Sequence, residues 1–196
     1  MTDFILVGVG GQGIILAGDV LAEVGAALGY DVKKADVHGM SQRGGSVTSH
    51  VRWGPKVYSP VLPKGGAGYM LAFEVMEGAR HLEYLAPGGA AIVNAQRIAP
   101  LPVASGLAED PDTEELMRAI RGRAGQVVEI DALGIARELG QPAVVSIVML
   151  GALAPMLRTE QQVWLDVVRR RVPSKWLEVN ETAFQKGWNA VETNWF

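Results

Sequence analysis

The chain has 196 residues and no cysteine, and its 18 basic against 21 acidic side chains leave a formal charge of −3. With 48% apolar and 20% charged residues it is ordinary globular material, and one domain over residues 1–196 is expected, of a size that buries about 70% of its unfolded surface. Near-neutral charge makes nucleic acid a poor partner, and the missing cysteines exclude disulfides, thiolate zinc sites and cysteine-bound iron–sulfur clusters from this chain.

The first basic residue is Lys33, and Asp3 lies within the opening apolar stretch, so the basic start of a secretory signal is missing. The longest apolar run, Ala143 to Leu157, is broken by Ser146, Gly151 and Pro155 and is shorter than the ~18–20 residues that span a bilayer. A soluble, cytoplasmic protein without membrane contact is expected.

Phe4 to Val9 is a continuous β-prone run, as in a strand buried on both faces. Gly10-Gly11-Gln12-Gly13 ends it, and Ile14 to Leu28 follows with Ile14, Leu21, Val24 and Leu28 at helical spacing before a stop at Gly29. Asp31 to Val37 completes a βαβ unit whose two strands are expected as parallel neighbours. His38 to Gly45 is polar and Gly-rich. Ser46 to Trp53 alternates, with Val47, Ser49, Val51 and Trp53 on one face and Ser46, Thr48, His50 and Arg52 on the other, which predicts a half-exposed antiparallel strand. Turn residues flank a short strand expected at Lys56–Ser59.

Strands are then expected at Tyr69–Phe73, Ala90–Asn94 and Gln126–Ile130, and a helix at Glu74–Leu85. Ala95 to Asp110 shows no period and is expected as a long loop. Asp112 caps the next helix, with Glu115 in capping-box position, and Asp131 caps a helix that ends near Gly140. Helices at Val144–Leu157, Glu160–Arg171 and Asn180–Glu192 finish the chain. The fold class expected is α/β: a mostly parallel sheet with helices on both faces, a Rossmann-like opening unit, an antiparallel excursion and a helical C-terminal tail.

Gly8-Val9-Gly10-Gly11-Gln12-Gly13 satisfies G-x-G-x-x-G between a strand and a helix. Free N–H groups and the positive end of the helix favour an anion there. Three readings fit: a bound dinucleotide, another anionic ligand or partner-held cofactor, or a tight turn serving packing alone. Asp36 stands about 20 residues on, where a ribose-binding acid belongs. A simple Rossmann unit, however, goes promptly to its second crossover helix, whereas here a polar loop and an exposed strand intervene.

The His38–Gly45 loop leaves the same sheet edge as the glycine turn. Arg43 beside two glycines offers a planar fork on bare backbone for phosphate or carboxylate, or else a structural salt bridge. His38 is a weak candidate for proton exchange, against a simple loop hydrogen bond. His50 and Arg52 extend a polar strand surface or are merely solvated, and His81 is expected to face solvent. Arg169-Arg170-Arg171 complements a helix C-terminus. Trp164, Trp176, Trp188 and Trp195 suit an interface or a core equally well. No nucleophile–base pair, metal-ligand spacing or Walker lysine is present.

The glycine turn with Ile14, followed by His38-Gly39-Met40-Ser41-Gln42-Arg43-Gly44-Gly45-Ser46-Val47, resembles the gamma subunits of 2-oxoacid:ferredoxin oxidoreductases, in particular the small subunit of the indolepyruvate branch. Ile92-Val93-Asn94 with Pro100, Val148 to Ala152 and Val179 to Phe184 are similar to later landmarks of that family, so the resemblance covers nearly the whole chain. Pyruvate and 2-oxoglutarate members usually carry a different run before the paired glycines.

The resemblance implies a hetero-oligomer, with two copies of each subunit, that decarboxylates an aryl 2-oxo acid to an acyl-CoA and passes electrons to ferredoxin. It implies thiamine diphosphate, Mg²⁺ and 4Fe–4S clusters in a large partner subunit, with coenzyme A as acyl acceptor and no cofactor held by this chain alone. On this basis Gly10, Gly11, Gln12 and Gly13, with Ser41, Gln42, Arg43, Gly44 and Gly45, are expected to form a ligand-facing wall of the cleft. The competing expectation is a free-standing NAD(P)-binding oxidoreductase that uses the glycine turn and Asp36.

Overall fold

A computed structural model describes residues 1–39 and 44–192. Its centre is a six-stranded sheet built from β1 (Thr2–Val9), β2 (Asp31–His38), β3 (Ser46–Gly54), β4 (Ala67–Ala72), β5 (Leu85–Asn94) and β6 (Gln126–Ile130), in the order β2-β3-β1-β4-β5-β6. β1, β4, β5 and β6 run parallel, while β3 pairs antiparallel with both β1 and β2. The expected α/β class with a mostly parallel sheet is what the chain forms.

One detail of the opening unit differs. β1 and β2 point the same way but are not neighbours, because β3 lies between them. Side-chain chemistry accounts for the exchange. β3 sets Val47, Val51 and Trp53 into the core, whereas β2 carries Lys33, Lys34 and Asp36, charges that suit an unpaired sheet edge. β3 is also not half-exposed. His50 is buried where the chain from Ser59 to Leu62 crosses its second face, Ser49 is buried on the opposite face against Gly18, and Thr48 is buried as well.

One face of the sheet packs Phe4, Leu6, Leu71 and Ile92 into a core shared with α1 (Ile14–Ala27), α5 (Ala132–Glu138) and α6 (Val145–Leu153), behind which α7 (Gln161–Arg171) packs on α1 and α8 (Leu177–Glu192) on α6. The other packs Ile5, Val7, Met70 and Val93 against α2 (Val75–Arg80) and α4 (Thr113–Arg123). A four-residue helix α3 (Leu101–Ala104) interrupts the expected long loop. Lys56–Ser59 forms no strand: Val57 is buried, and its N–H donates to Asp31 Oδ2 at 2.8 Å.

Helix ends account for the remaining differences. α2 stops at Arg80 and a 3-10 turn takes over, so Leu85 is free to begin β5, with Pro87–Gly89 carried as a register shift inside that strand. Glu74 caps α2 by accepting the Glu77 N–H, and Asp131 caps α5 through the Gly134 N–H. Asp112 stands at the N-cap of α4, but its side chain accepts no capping bond. The predicted helix to Leu157 changes to a 3-10 turn at Ala154, beside Pro155, and α8 starts earlier than Asn180, at Leu177. Trp164 is core and Trp176 is exposed, while Trp195 lies outside the described residues.

Two contacts have direct consequences. α6 and α8 cross at backbone distance: a Cβ on Gly187 would stand 2.0 Å from the Val148 carbonyl oxygen, and one on Gly151 would stand 2.1 Å from that of Phe184. Neither backbone can yield without parting the helices. Gly187→Ala is therefore expected to cost about 3 kcal/mol of stability, read as a lower urea midpoint; an unchanged midpoint contradicts this packing.

His50 is the second. Its Nδ1 accepts the Leu62 N–H at 3.3 Å, its ring meets Tyr84 edge-on, and burial, aided by the charge of His81, pushes its pKa below the ordinary histidine range. The unfolded chain, with a normal imidazole, then binds more protons than the folded one just below about pH 6.5. Stability is expected to be full above that pH and to fall as pH drops through it towards the lower folded value. His50→Gln removes this part of the slope. Identical pH–stability curves for the two proteins contradict the assignment.

Candidate functional site

The carboxyl ends of β1, β4 and β5 meet the loops that the sequence singled out. The Gly10 N–H donates to the Gly45 carbonyl at 2.8 Å, so the glycine turn and the end of the His38–Gly45 loop are joined directly. Gly11 and Gly13 take left-handed conformations, φ 105° and 81°. Gly13 is also the N-cap of α1 and offers no side-chain cap, so the first-turn N–H groups of that 14-residue helix lack an internal acceptor. They border a cavity of about 450 Å³ lined by Gly10, Gly11, Gly13, Ile14, His38 and Val47.

A second cavity, of about 460 Å³, lies on the α2 side and is lined by Gly44, Gly45, Ser46, Glu77, Arg80 and Pro100. The Glu77 carboxylate is buried, accepts from Ser46 Oγ and pairs with Arg80. Glu74, equally buried, accepts from the Ile98 N–H and pairs with Arg97. Sequence reasoning did not single out these acids. Their one local signal is the Glu74–Glu77 spacing that caps α2.

The predicted site residues separate into groups. Gly10, Gly11, Gly13 and His38 line the first cavity, and Gly44 and Gly45 the second. Gln12, expected among the ligand-facing residues, is turned into the fold: Oε1 accepts the Val9 N–H at 2.7 Å, and Nε2 donates to the Phe73 carbonyl at 2.9 Å and Gln96 Oε1 at 3.0 Å. Ser41, Gln42 and Arg43 lie outside the described residues. His38 is exposed, with Nδ1 3.1 Å from the Gly39 carbonyl oxygen.

The nicotinamide alternative loses its ribose acid. β3 separates Asp36 from β1 by a further strand spacing of about 4.8 Å, and the Asp36 carboxylate already pairs with Lys34 Nζ at 2.7 Å. Arg52 is likewise engaged, holding Asp3 through two guanidinium nitrogens. His81 is half-buried against Tyr84 and does not project freely into solvent. Among the described residues no three His, Asp or Glu side chains are grouped to hold a metal ion, and no helix is long and apolar enough to cross a membrane.

Among the described residues the site presents backbone donors at a helix N-terminus beside a cavity, an arrangement suited to binding an anion.

Known proteins share both the sequence pattern and the fold of this chain. The family profile described as pyruvate ferredoxin/flavodoxin oxidoreductase matches residues 3–190. The indolepyruvate oxidoreductase subunits IorB of Pyrococcus horikoshii and Thermococcus kodakarensis are 38% and 37% identical over 193 residues, which is 97% of this chain and 96% of each relative. Among solved structures, the keto/oxoacid ferredoxin oxidoreductase gamma subunit of Geobacter sulfurreducens shares the fold with a TM-score of 0.73 at 22% identity, over 98% of this chain and 99% of that one. The 2-oxoglutarate:ferredoxin oxidoreductase of Magnetococcus marinus, solved with 2-oxoglutarate, coenzyme A and succinyl-CoA bound, gives 0.74 at 20% identity over 98% of this chain and 31% of that chain. By a match over nearly its whole length, the chain belongs to the pyruvate ferredoxin/flavodoxin oxidoreductase family.

Proposed function

We propose that this chain is the small subunit of a 2-oxoacid oxidoreductase complex acting on indolepyruvate, which it converts with a larger subunit to an acyl-CoA while electrons pass to ferredoxin. The supporting observation is the identity of 37–38% to indolepyruvate oxidoreductase subunits over 97% of the chain. Thiamine diphosphate, Mg²⁺ and 4Fe–4S clusters would supply the carbon–carbon cleavage and electron transfer. The clusters do not fit this chain, which has no cysteine, and its described acids and histidines form no metal-ligand group. All three are assigned to the larger subunit, in a complex with two copies of each.

The contribution of this chain is an anion-holding rim. The uncapped first-turn N–H groups of α1 direct charge-complementary donors at the α1-side cavity, and Arg43, in the His38–Gly45 segment of the sequence, would add a guanidinium to them. A coenzyme A phosphate and the 2-oxo acid carboxylate share the required chemistry. The α2-side cavity suits an anion less, because Glu77 already neutralises Arg80 there.

Arg43→Ala in the assembled complex is expected to raise the KM for coenzyme A or for the 2-oxo acid about tenfold, the worth of one charge-assisted hydrogen bond, with subunit assembly intact. The substrate affected identifies the anion. Unchanged KM for both substrates retires this role for Arg43.

A further inference from the structure

Open α/β sheets receive ligands in the crevice beyond two adjacent strands whose crossovers run to opposite faces. Here those strands are β1, followed by α1 on one face, and β4, followed by α2 on the other. The last ladder bond between them is Phe73 N–H to the Val7 carbonyl, 2.8 Å. A further parallel step would pair the Val9 N–H with the Phe73 carbonyl. The Gln12 side-chain amide lies in that step, accepting from the first and donating to the second.

The insertion continues sideways. The other Nε2 hydrogen of Gln12 goes to Gln96 Oε1, which also accepts from Asn94 Nδ2 at 3.3 Å. Asn94 is fully buried, donates to the same Phe73 carbonyl and accepts the N–H of Ala132, the first residue of α5. The ends of β1, β4 and β5 and the start of α5 are thus tied through three amide side chains. Both donors of Gln12 are engaged, so it offers no hydrogen to a ligand.

We infer that Gln12 and Gln96 are positioning residues: their amides close the crevice between β1 and β4 and fix the glycine turn, which directs the anionic substrate to the α1-side cavity. This rests on the proposed anion-holding role of the turn. Gln96 acts at one remove, through the single oxygen that receives the Gln12 amide.

The test uses the assembled complex carrying Gln12→Met, Gln96→Met or Gln96→Glu. Both Met variants should raise the KM of one anionic substrate, coenzyme A or the 2-oxo acid, about tenfold with kcat within about twofold. They should also speed hydrogen exchange at the amides of residues 10–16. Gln96→Glu keeps the accepting oxygen and should restore both readouts towards wild type. Wild-type exchange and KM in the Met variants, or a Glu variant as impaired as Gln96→Met, overturns the inference. Faster exchange with both KM values unchanged overturns instead the binding of substrate at the turn, and the positioning role with it. Should Gln12→Met fail to assemble, the Gln96 pair alone decides.

Discussion

The arrangement of this molecule depends on one hydrogen-bonding problem, the unpaired backbone left where β1 and β4 end. The Val9 N–H and the Phe73 carbonyl are buried polar groups at a sheet edge, and leaving either without a partner costs about 1–3 kcal/mol. The chain supplies Gln12 from the turn itself, so the residue that completes the sheet also fixes the path of the glycines around it. Gln96 and Asn94 extend the same solution to β5 and α5. A crevice that commonly takes a ligand is thereby closed, and the unpaired donors are displaced to the start of α1.

The two cavities flanking the Gly10–Gly45 bond are of similar size and different character. On the α1 side, backbone donors meet no acidic side chain among the lining residues. On the α2 side, a buried carboxylate sits against a guanidinium, an ion pair that is already complete. Charge complementarity therefore favours the first as the place for the anion proposed above. The acid–base pairs along β2, Lys33 with Asp31 and Lys34 with Asp36, are partly exposed and add little to stability. Their greater effect is to keep the unpaired edge from adding a foreign strand.

Much of this is legible in the residues, and the limits have physical causes. The glycine turn and the uncapped start of α1 follow from Gly spacing between a buried strand and a helix, both local signals, whereas the Gly10–Gly45 bond joins segments that the sequence places only at the same sheet edge. Alternation in Ser46–Trp53 correctly divides its two faces, yet periodicity carries no information about which strand lies alongside, so the insertion of β3 between β1 and β2 was not visible. Nor was burial of His50, which depends on a loop arriving twelve residues later. Gln12 misled for a similar reason. A polar residue among glycines reads as ligand-facing until Phe73, 61 positions away, is placed beside it. The family resemblance rested on the His38–Val47 string, four of whose residues lie outside the described structure, and the whole-length match to indolepyruvate subunits supports it independently.

The account makes this chain the holder of an anion for chemistry carried out on a larger partner. The most direct measurement is a cryo-EM or crystal structure of the assembled complex with coenzyme A and the 2-oxo acid bound. Phosphate or carboxylate oxygen within hydrogen-bonding distance of the Gly13 and Ile14 N–H groups, with the Gln12 amide still between Val9 and Phe73, is the predicted result. Ligand seated between the ends of β1 and β4 with Gln12 displaced, or both substrates bound with the start of α1 empty, contradicts it.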